Sequence, residues 1–219
     1  MIADRTYRRE YLGVFQEMLG TAPRGHFDEM ALPSYTHPNP AMSWLFWKRL
    51  DVALRLAGEV AGRSVLDFGC GGCTSFRHLQ AKGCRISGED PFALDLATEV
   101  CRRLGIQANL YRSLDQVTSQ VFDVIFALDV LEHVEDLDGC LGDLRRFAGP
   151  GTAVIVSGPT ENAFYKLGRR LAGFTGHYHL TNIYDIEARL RQGGLVTEAV
   201  RTLYPPVPLF RVSRWRAGE

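Results

Sequence analysis

Short runs suited to strands alternate with runs of helical periodicity along most of this chain. The predicted strands cover residues 65–68, 85–89, 106–111, 122–128, 153–157, 195–202 and 209–214. Predicted helices start near 73 and 91 and cover about 137–147, 161–172 and 183–192. Such alternation is typical of a doubly wound, mostly parallel sheet, here of about seven strands, with helices on both faces. The short linker 203–208 suits a hairpin, so one of the last two strands is expected to run antiparallel.

The first 57 residues follow a different pattern. Apolar residues recur at helical spacing over 4–19, and a second helix is predicted over 41–57, after a loop rich in proline and aromatic residues. Trp44, Phe46 and Trp47 cannot all face one core, so we expect some of them to cover another surface, a partner or a substrate; packing between the two helices is the alternative. We therefore divide the chain into a cap, residues 1–57, and a main domain, residues 58–219, within one structural unit.

A glycine turn directly follows the first predicted strand. Residues 64–72 read S-V-L-D-F-G-C-G-G, and glycines there let the backbone turn sharply and approach a ligand closely. A helix starting near residue 73 would direct free N–H groups at that ligand. Strand, glycine turn and helix together predict a nucleotide site, although a plain structural turn has the same pattern.

The residues around the turn distinguish between nucleotides. A dehydrogenase fingerprint needs glycine at its sixth position, which is Thr74 here. Asp67, two residues before Gly69, would repel a pyrophosphate and attract an ammonium group. S-adenosylmethionine carries an ammonium group and no phosphate, so it suits this turn better than a dinucleotide does.

The composition of the chain indicates its localisation and partners more than the reaction it catalyses. The 219-residue chain has a formal net charge of zero, which does not suggest non-specific binding to nucleic acid. The charged start has no apolar signal core, and no apolar run reaches the ~20 residues of a membrane span. Five cysteines, an odd number, without an export signal suggest reduced thiols. We therefore expect a cytoplasmic protein with neither a nucleic-acid partner nor a transmembrane segment.

Three ordered motifs carry a resemblance to a known family. The turn resembles motif I, D-x-G-x-G, of the class I S-adenosylmethionine-dependent methyltransferases. Residues 122–134, F-D-V-I-F-A-L-D-V-L-E-H-V, and residues 147–159, F-A-G-P-G-T-A-V-I-V-S-G-P, are similar to two later motifs of that family. The resemblance covers about residues 60–200 and is strongest for the small-molecule subgroup that includes ubiquinone-biosynthesis O-methyltransferases. It implies a Rossmann-like fold and an enzyme that transfers a methyl group in line to a small acceptor, at oxygen.

The resemblance also implies a set of coenzyme contacts. S-adenosylmethionine, leaving as S-adenosylhomocysteine, would be held by Asp67, Gly69, Cys70, Gly71, Asp90, Pro91, Leu114, Ala127 and Leu128. Asp90, in G-E-D-P, would accept hydrogen bonds from the ribose hydroxyls, and capping of the following helix is its alternative role. Glu89 stands where the family has an apolar residue, which leaves the register open by one. The family's aspartate near the adenine is absent beside Leu114.

Histidines supply the catalytic hypothesis. His133, in L-E-H-V, would lie near the reacting centre and act as a general base, or else bond the backbone in a structural role. His177 and His179 precede the last helix, where the family builds its substrate pocket, and join Trp44 and Trp47 as expected substrate contacts.

Two cysteines leave a further alternative. Cys70 and Cys73 have the spacing of a redox pair or half a zinc site, but both lie in the turn that the coenzyme would occupy, so we expect no metal. A dehydrogenase and a non-catalytic domain of the same fold remain the competing function classes.

Overall fold

The computed structural model describes residues 4–21, 32–118, 121–162, 180–204 and 207–217. The helices described are α1 (Arg5–Thr21), α2 (Leu32–Tyr35), α3 (Pro40–Ala57), α4 (Phe76–Ala81), α5 (Leu94–Leu104), α6 (Leu137–Arg146) and α7 (Ile183–Gln192). The strands are β1 (Ser64–Phe68), β2 (Arg85–Glu89), β3 (Asn109–Tyr111), β4 (Phe122–Leu128), β5 (Ala148–Pro159), β6 (Leu195–Leu203) and β7 (Phe210–Ala217). Single 3₁₀ turns lie at Leu114–Gln116 and Leu131–His133.

The seven strands form one sheet in the order β3-β2-β1-β4-β5-β7-β6. The neighbours from β3 to β5 pair in parallel, whereas β7 is antiparallel to both β5 and β6. The predicted doubly wound sheet with one antiparallel strand is therefore confirmed. The strand order reverses between β1 and β4, and in doubly wound sheets the ligand lies at that point, beyond the carboxyl ends of the strands.

The central strands are buried on both faces because helices cover both sides of the sheet. Val65 packs with α1, α3, α4 and α5 in one apolar cluster, while its neighbour Leu66 packs with α6 and α7 in the other. Tyr11, Phe15 and Trp47 from the N-terminal helices are almost fully buried in the first cluster. The aromatic residues of the cap thus share their core with the sheet.

Several boundaries differ from the sequence-based prediction; strand β5, for example, starts at Ala148 and not at residue 153. Helix α4 starts at Phe76, not near residue 73, because Cys73 has a left-handed φ of 54° and its N–H bonds to Cys70 O. Strand β3 starts at Asn109, since the N–H of Ile106 still closes helix α5 on Cys101 O. The helix predicted over 161–172 falls mostly outside the described residues. No described helix is long and apolar enough to cross a membrane.

Candidate functional site

An open cleft lies at the carboxyl ends of β1 and β4, the switch point of the sheet. It measures about 480 Å³ including its mouth. The glycine turn forms its floor, and the cap supplies one wall. The lining residues are Tyr35, Asp67, Gly69, Cys70, Gly71, Gly72, Thr74, Ser75, Leu128 and Asp129. The structure thus brings together five of the residues expected from the motifs to hold a coenzyme: Asp67, Gly69, Cys70, Gly71 and Leu128.

Asp67 is a buried carboxylate at the inner end of this cleft. The hydroxyl of Ser75 donates a hydrogen bond of 2.7 Å to its Oδ2. Burial, together with repulsion from Asp90, raises the pKa of Asp67 to about 7, although the Ser75 hydrogen bond favours the ionised form. A ligand that brings a positive charge would therefore stabilise the carboxylate that the protein alone leaves poorly solvated.

The glycine turn is held by the end of β2. The N–H groups of Gly69 and Cys70 donate to Glu89 O at 2.8 and 3.0 Å. Gly69 has a φ of 69°, and a Cβ built on it would lie 2.3 Å from Cγ2 of Val130. Gly71 also has a positive φ, but a Cβ there would meet nothing closer than Gly69 O, at 4.0 Å. Gly69 therefore serves close packing, whereas Gly71 keeps the cleft floor low.

The side chain of Asp90 bonds three backbone N–H groups, but it does not cap α5, whose N-cap residue is Ala93. Its Oδ1 accepts from the N–H groups of Phe92 and Ala93 at 3.0 and 2.7 Å. Its Oδ2 accepts from the N–H of Gly71 at 3.0 Å, which ties the glycine turn to the next loop. The neighbouring Pro91 is exposed.

Leu114, which we expected beside the adenine, lies in the segment after β3 and does not line the cleft. Leu114 is part-buried in its 3₁₀ turn and packs against the second apolar cluster. The Arg112 guanidinium donates to Pro91 O at 3.1 Å, so it bridges this segment to the loop after β2. Ala127 is fully buried within β4 and does not line the open cleft.

Two tyrosines of α1 bond the far end of the glycine turn. The Tyr11 hydroxyl donates to Cys73 O at 2.6 Å and accepts from the N–H of Arg77 at 3.3 Å. The Tyr7 hydroxyl donates to Thr74 O. Both rings are buried and stack on each other at 5.2 Å. Helix α1 thereby fixes the backbone that leads from the turn into α4.

An ion pair connects the cap to the other side of the cleft. Arg49 of α3 bonds Asp129, which follows β4 with a left-handed φ of 57°. The guanidinium lies 4.4 Å from the ring centroids of both Phe46 and Phe210. The Ser157 hydroxyl donates to Asp129 Oδ1 at 3.0 Å. The cleft wall formed by Asp129 therefore depends on the cap as well as on the sheet.

Glu132 and His133 have opposite environments in the turn after β4. Glu132 is 2 % exposed, and burial with repulsion from Asp129 raises its pKa well above the usual range. The side chain of His133 is exposed and does not line the cleft. The base hypothesis for His133 therefore needs the acceptor to reach beyond the cleft wall.

The expected substrate residues separate in the structure. Trp47 is 1 % exposed and packs edge-on against Tyr35 with ring centroids 4.8 Å apart, so it supports the cleft wall from behind. Trp44 is 42 % exposed and lies 5.7 Å from the ring of Tyr204. His177 and His179 lie outside the described residues.

The cysteines near the turn are reduced and mostly buried. Cys70 and Cys73 are less than 10 % exposed, and Cys73 Sγ points at Gly71 O and Ala97 O at 3.8 and 3.9 Å. Burial raises the pKa of Cys73 well above its ordinary value. Within the described residues, no three His, Cys, Asp or Glu side chains are grouped as metal ligands.

Several residues of the site lie outside the sequence motifs. Tyr35 and Arg49 precede every motif and reach the cleft only through tertiary packing. Ser75 follows the glycine turn, and its hydroxyl carries no recognisable pattern. Asp129 could have been predicted from the sequence, because a polar residue at the end of a buried strand lies at the ligand edge of such a sheet.

The chain is similar in sequence to known methyltransferases. A family model described as a methyltransferase domain matches residues 43–200. A ubiquinone biosynthesis O-methyltransferase of Rickettsia conorii is 26% identical over 196 residues, 87% of this chain and 64% of that protein. A demethylmenaquinone methyltransferase of Tropheryma whipplei is 30% identical over 129 residues, 56% of this chain and 53% of that protein. The chain thus spans less than two thirds of the length of each of these two relatives.

Solved structures share the fold at low identity. The PH0226 protein of Pyrococcus horikoshii superposes with a TM-score of 0.70 at 15% identity, over 90% of this chain and 100% of that one. The N-methyltransferase NodS of Bradyrhizobium japonicum, in complex with S-adenosyl-L-homocysteine, gives 0.63 at 18% identity, over 96% of this chain and 100% of that one. These likenesses confirm the Rossmann-like architecture expected from the strand–helix alternation.

Proposed function

The chain belongs to the methyltransferase-domain family, and we propose that it is an S-adenosylmethionine-dependent enzyme that transfers the methyl group to an oxygen of a small molecule. The carrying observation is the cleft at the switch point, where a buried carboxylate, Asp67, lies beside the glycine turn. That pairing suits a cationic amino-acid end and would repel a pyrophosphate. The motif resemblance and the family match support the same coenzyme.

Different residues of the cleft bind different parts of the coenzyme. Asp67, held by Ser75, neutralises the ammonium group, and the backbone around Gly71 leaves room for the methionine chain. A carboxylate at the end of β2 accepts from the ribose, and Pro91 with Leu114 flank the adenine. Tyr35 and Asp129 close the cleft on the side from which the acceptor enters.

When bound, S-adenosylmethionine supplies an electrophilic methyl on a positive sulfur. The protein has to hold the acceptor oxygen in line with that methyl, within roughly 3–3.5 Å, and to exclude water. The N-terminal segment 1–57 serves both needs, since Tyr35 lies on the cleft wall and Trp47 supports it. His133 receives the acceptor's proton as its oxygen is methylated.

The names of relatives support the oxygen acceptor. Several of the matched proteins are called ubiquinone biosynthesis O-methyltransferases. Others are a demethylmenaquinone methyltransferase and, among structures, an N-methyltransferase, so related chains use this fold on different acceptors.

Two measurements test the coenzyme and the class. Calorimetric titration with S-adenosylhomocysteine and with NADH should give binding for the first alone; the reverse result would make the chain a dehydrogenase. Methyl-labelled S-adenosylmethionine, offered with panels of phenols, carboxylic acids and amines, should label a phenol product. Coenzyme binding without any labelled product from the panels or from a metabolite extract would favour the non-catalytic alternative.

His133→Ala tests the proposed base. The variant should lower kcat on a phenol by about 10²–10⁴-fold because the proton loses its acceptor. Affinity for S-adenosylhomocysteine should stay within twofold of wild type. His78→Ala, a histidine change on α4 outside the cleft lining, is the control and should keep full turnover. A folded His133→Ala with undiminished kcat would remove His133 from the mechanism.

A further inference from the structure

Four non-glycine residues in the described part of the chain have a left-handed φ, and each follows a strand at the ligand edge of the sheet. They are Cys73 after β1, Asp129 after β4, Glu161 after β5 and Tyr204 after β6, with φ values between 50° and 68°. Because β5 and β6 are both antiparallel to β7, the carboxyl end of β6 lies at this same edge. Strained backbone of this kind is found mainly at functional sites, and it is most unusual for a bulky residue such as Tyr204. The functional edge of the sheet therefore extends beyond the cleft to the end of β6.

Tyr204 packs with Trp44 at that far end of the edge. Their ring centroids are 5.7 Å apart, and the ring planes are inclined at 53°. The Tyr204 hydroxyl donates a hydrogen bond of 3.4 Å to Leu45 O, which links the end of β6 to helix α3. Trp44 is 42 % exposed, so a large part of its side chain is accessible to a ligand. The pair thus presents an exposed aromatic ring beside strained backbone.

A row of aromatic side chains connects this pair to the cleft wall. The ring of Tyr35, which lines the cleft, lies 5.9 Å from the ring of Phe46, and Phe46 lies 5.8 Å from Phe210. Phe210 is paired in the sheet with Leu203, the residue before Tyr204. All of these rings come from the cap or from the ends of β6 and β7, and none of them is an expected coenzyme contact. The row therefore leads away from the coenzyme, on the side of the cleft from which the acceptor enters.

The spacing of the strands sets the size of the acceptor. Strands β4 and β6 are three positions apart in the sheet, so the strand ends that carry Asp129 and Tyr204 are separated by about 14 Å. A single phenol ring is too short to reach both. We propose that the exposed ring of Trp44, supported by Tyr204, binds a second aromatic ring of the acceptor, remote from the oxygen that is methylated. Ring-to-ring contacts add to the gain from burial, so this pair selects an aromatic ring over an aliphatic one. The inference rests on the proposed methyltransferase function.

Three phenols test the assignment when they are titrated calorimetrically into the complex with S-adenosylhomocysteine. The probes are phenol, 4-phenylphenol and 4-cyclohexylphenol, of which the last two differ only in the aromatic character of the second ring. We expect wild type to bind 4-phenylphenol at least about 10-fold more tightly than phenol, and about 2- to 10-fold more tightly than 4-cyclohexylphenol. Trp44→Leu should bind the two long probes equally, because leucine keeps apolar contact without a ring, and Trp44→Phe should restore the preference. Tyr184→Leu is the matched control: this ring is 44 % exposed, lies on α7 on the other face of the sheet, and should not affect the preference.

The outcomes separate this inference from the proposed function. Wild type that does not bind S-adenosylhomocysteine would overturn the coenzyme site itself. Wild type that binds S-adenosylhomocysteine, but binds 4-phenylphenol no better than phenol or 4-cyclohexylphenol, would overturn only the second-ring site. A preference that survives in Trp44→Leu, or that is lost equally in Tyr184→Leu, would remove Trp44 from the site. If Trp44→Leu fails to fold, Trp44→Gln replaces it with the same expectations; failure of both to fold would make Trp44 a structural residue and would also overturn the assignment.

Discussion

Removal of one hydroxyl, in Tyr11→Phe, tests whether helix α1 fixes the coenzyme turn. The ring is fully buried among Tyr7, Phe15 and Trp47, and phenylalanine keeps that packing. Two hydrogen bonds are lost: the 2.6 Å bond to Cys73 O, which still accepts from the N–H of Phe76, and the 3.3 Å bond from the N–H of Arg77, which is left without this acceptor. Such a loss costs about 1–3 kcal/mol. For a chain of this length, each kcal/mol lowers Tm by roughly 2–4 °C.

The assay pairs chemical denaturation with titration of S-adenosylhomocysteine. We expect Tyr11→Phe to lower the free energy of unfolding by about 1–3 kcal/mol. Its affinity for S-adenosylhomocysteine should fall several-fold, because the hydroxyl of Tyr11 no longer holds the backbone after Cys73. Tyr204→Phe is the matched control, because the hydroxyl of Tyr204 makes a long hydrogen bond of 3.4 Å to Leu45 O, away from the turn. Loss of that hydroxyl should change neither the free energy of unfolding nor the ligand affinity measurably. If Tyr11→Phe equals wild type in stability and affinity, α1 does not position the turn.

The remaining predictions concern the turn and its carboxylate. Gly69→Ala and Gly62→Ala form a matched pair, because both glycines have a φ of 69° and only a Cβ on Gly69 would clash with Val130. Gly69→Ala should therefore destabilise the fold by about 1–3 kcal/mol more than Gly62→Ala does. Equal losses in urea denaturation would disprove the close packing. Because the folded-state pKa of Asp67 is raised to about 7, the native state binds the extra proton and unfolding free energy should fall as pH rises from about 4 to 7. Asp67→Asn should flatten that slope in denaturation at several pH values, and an unchanged slope would show that other groups cause it.

The sequence by itself determined the layered fold and the location of the ligand edge. Strands β2 and β4 and helix α7 lie over the residues that the pattern predicts, since each combines clear periodicity with glycine or polar boundaries. The glycine turn with Asp67 indicated both the site and the charge of its ligand. These are local properties: a positive φ and a carboxylate after a buried strand depend on a few neighbouring residues.

Tertiary structure alone decided how the site is supported. Tyr11 and Arg49 are separated from the residues they bond by 62 and 80 positions, and no periodicity encodes such contacts. The burial of Trp47 and the exposure of His133 also follow from how α3 and the turn after β4 pack. The same holds for the two acids after β2: sequence places Glu89 and Asp90 side by side, but only the fold decides which carboxylate the backbone satisfies, because hydrogen-bond donors are distributed by three-dimensional position and not by order along the chain.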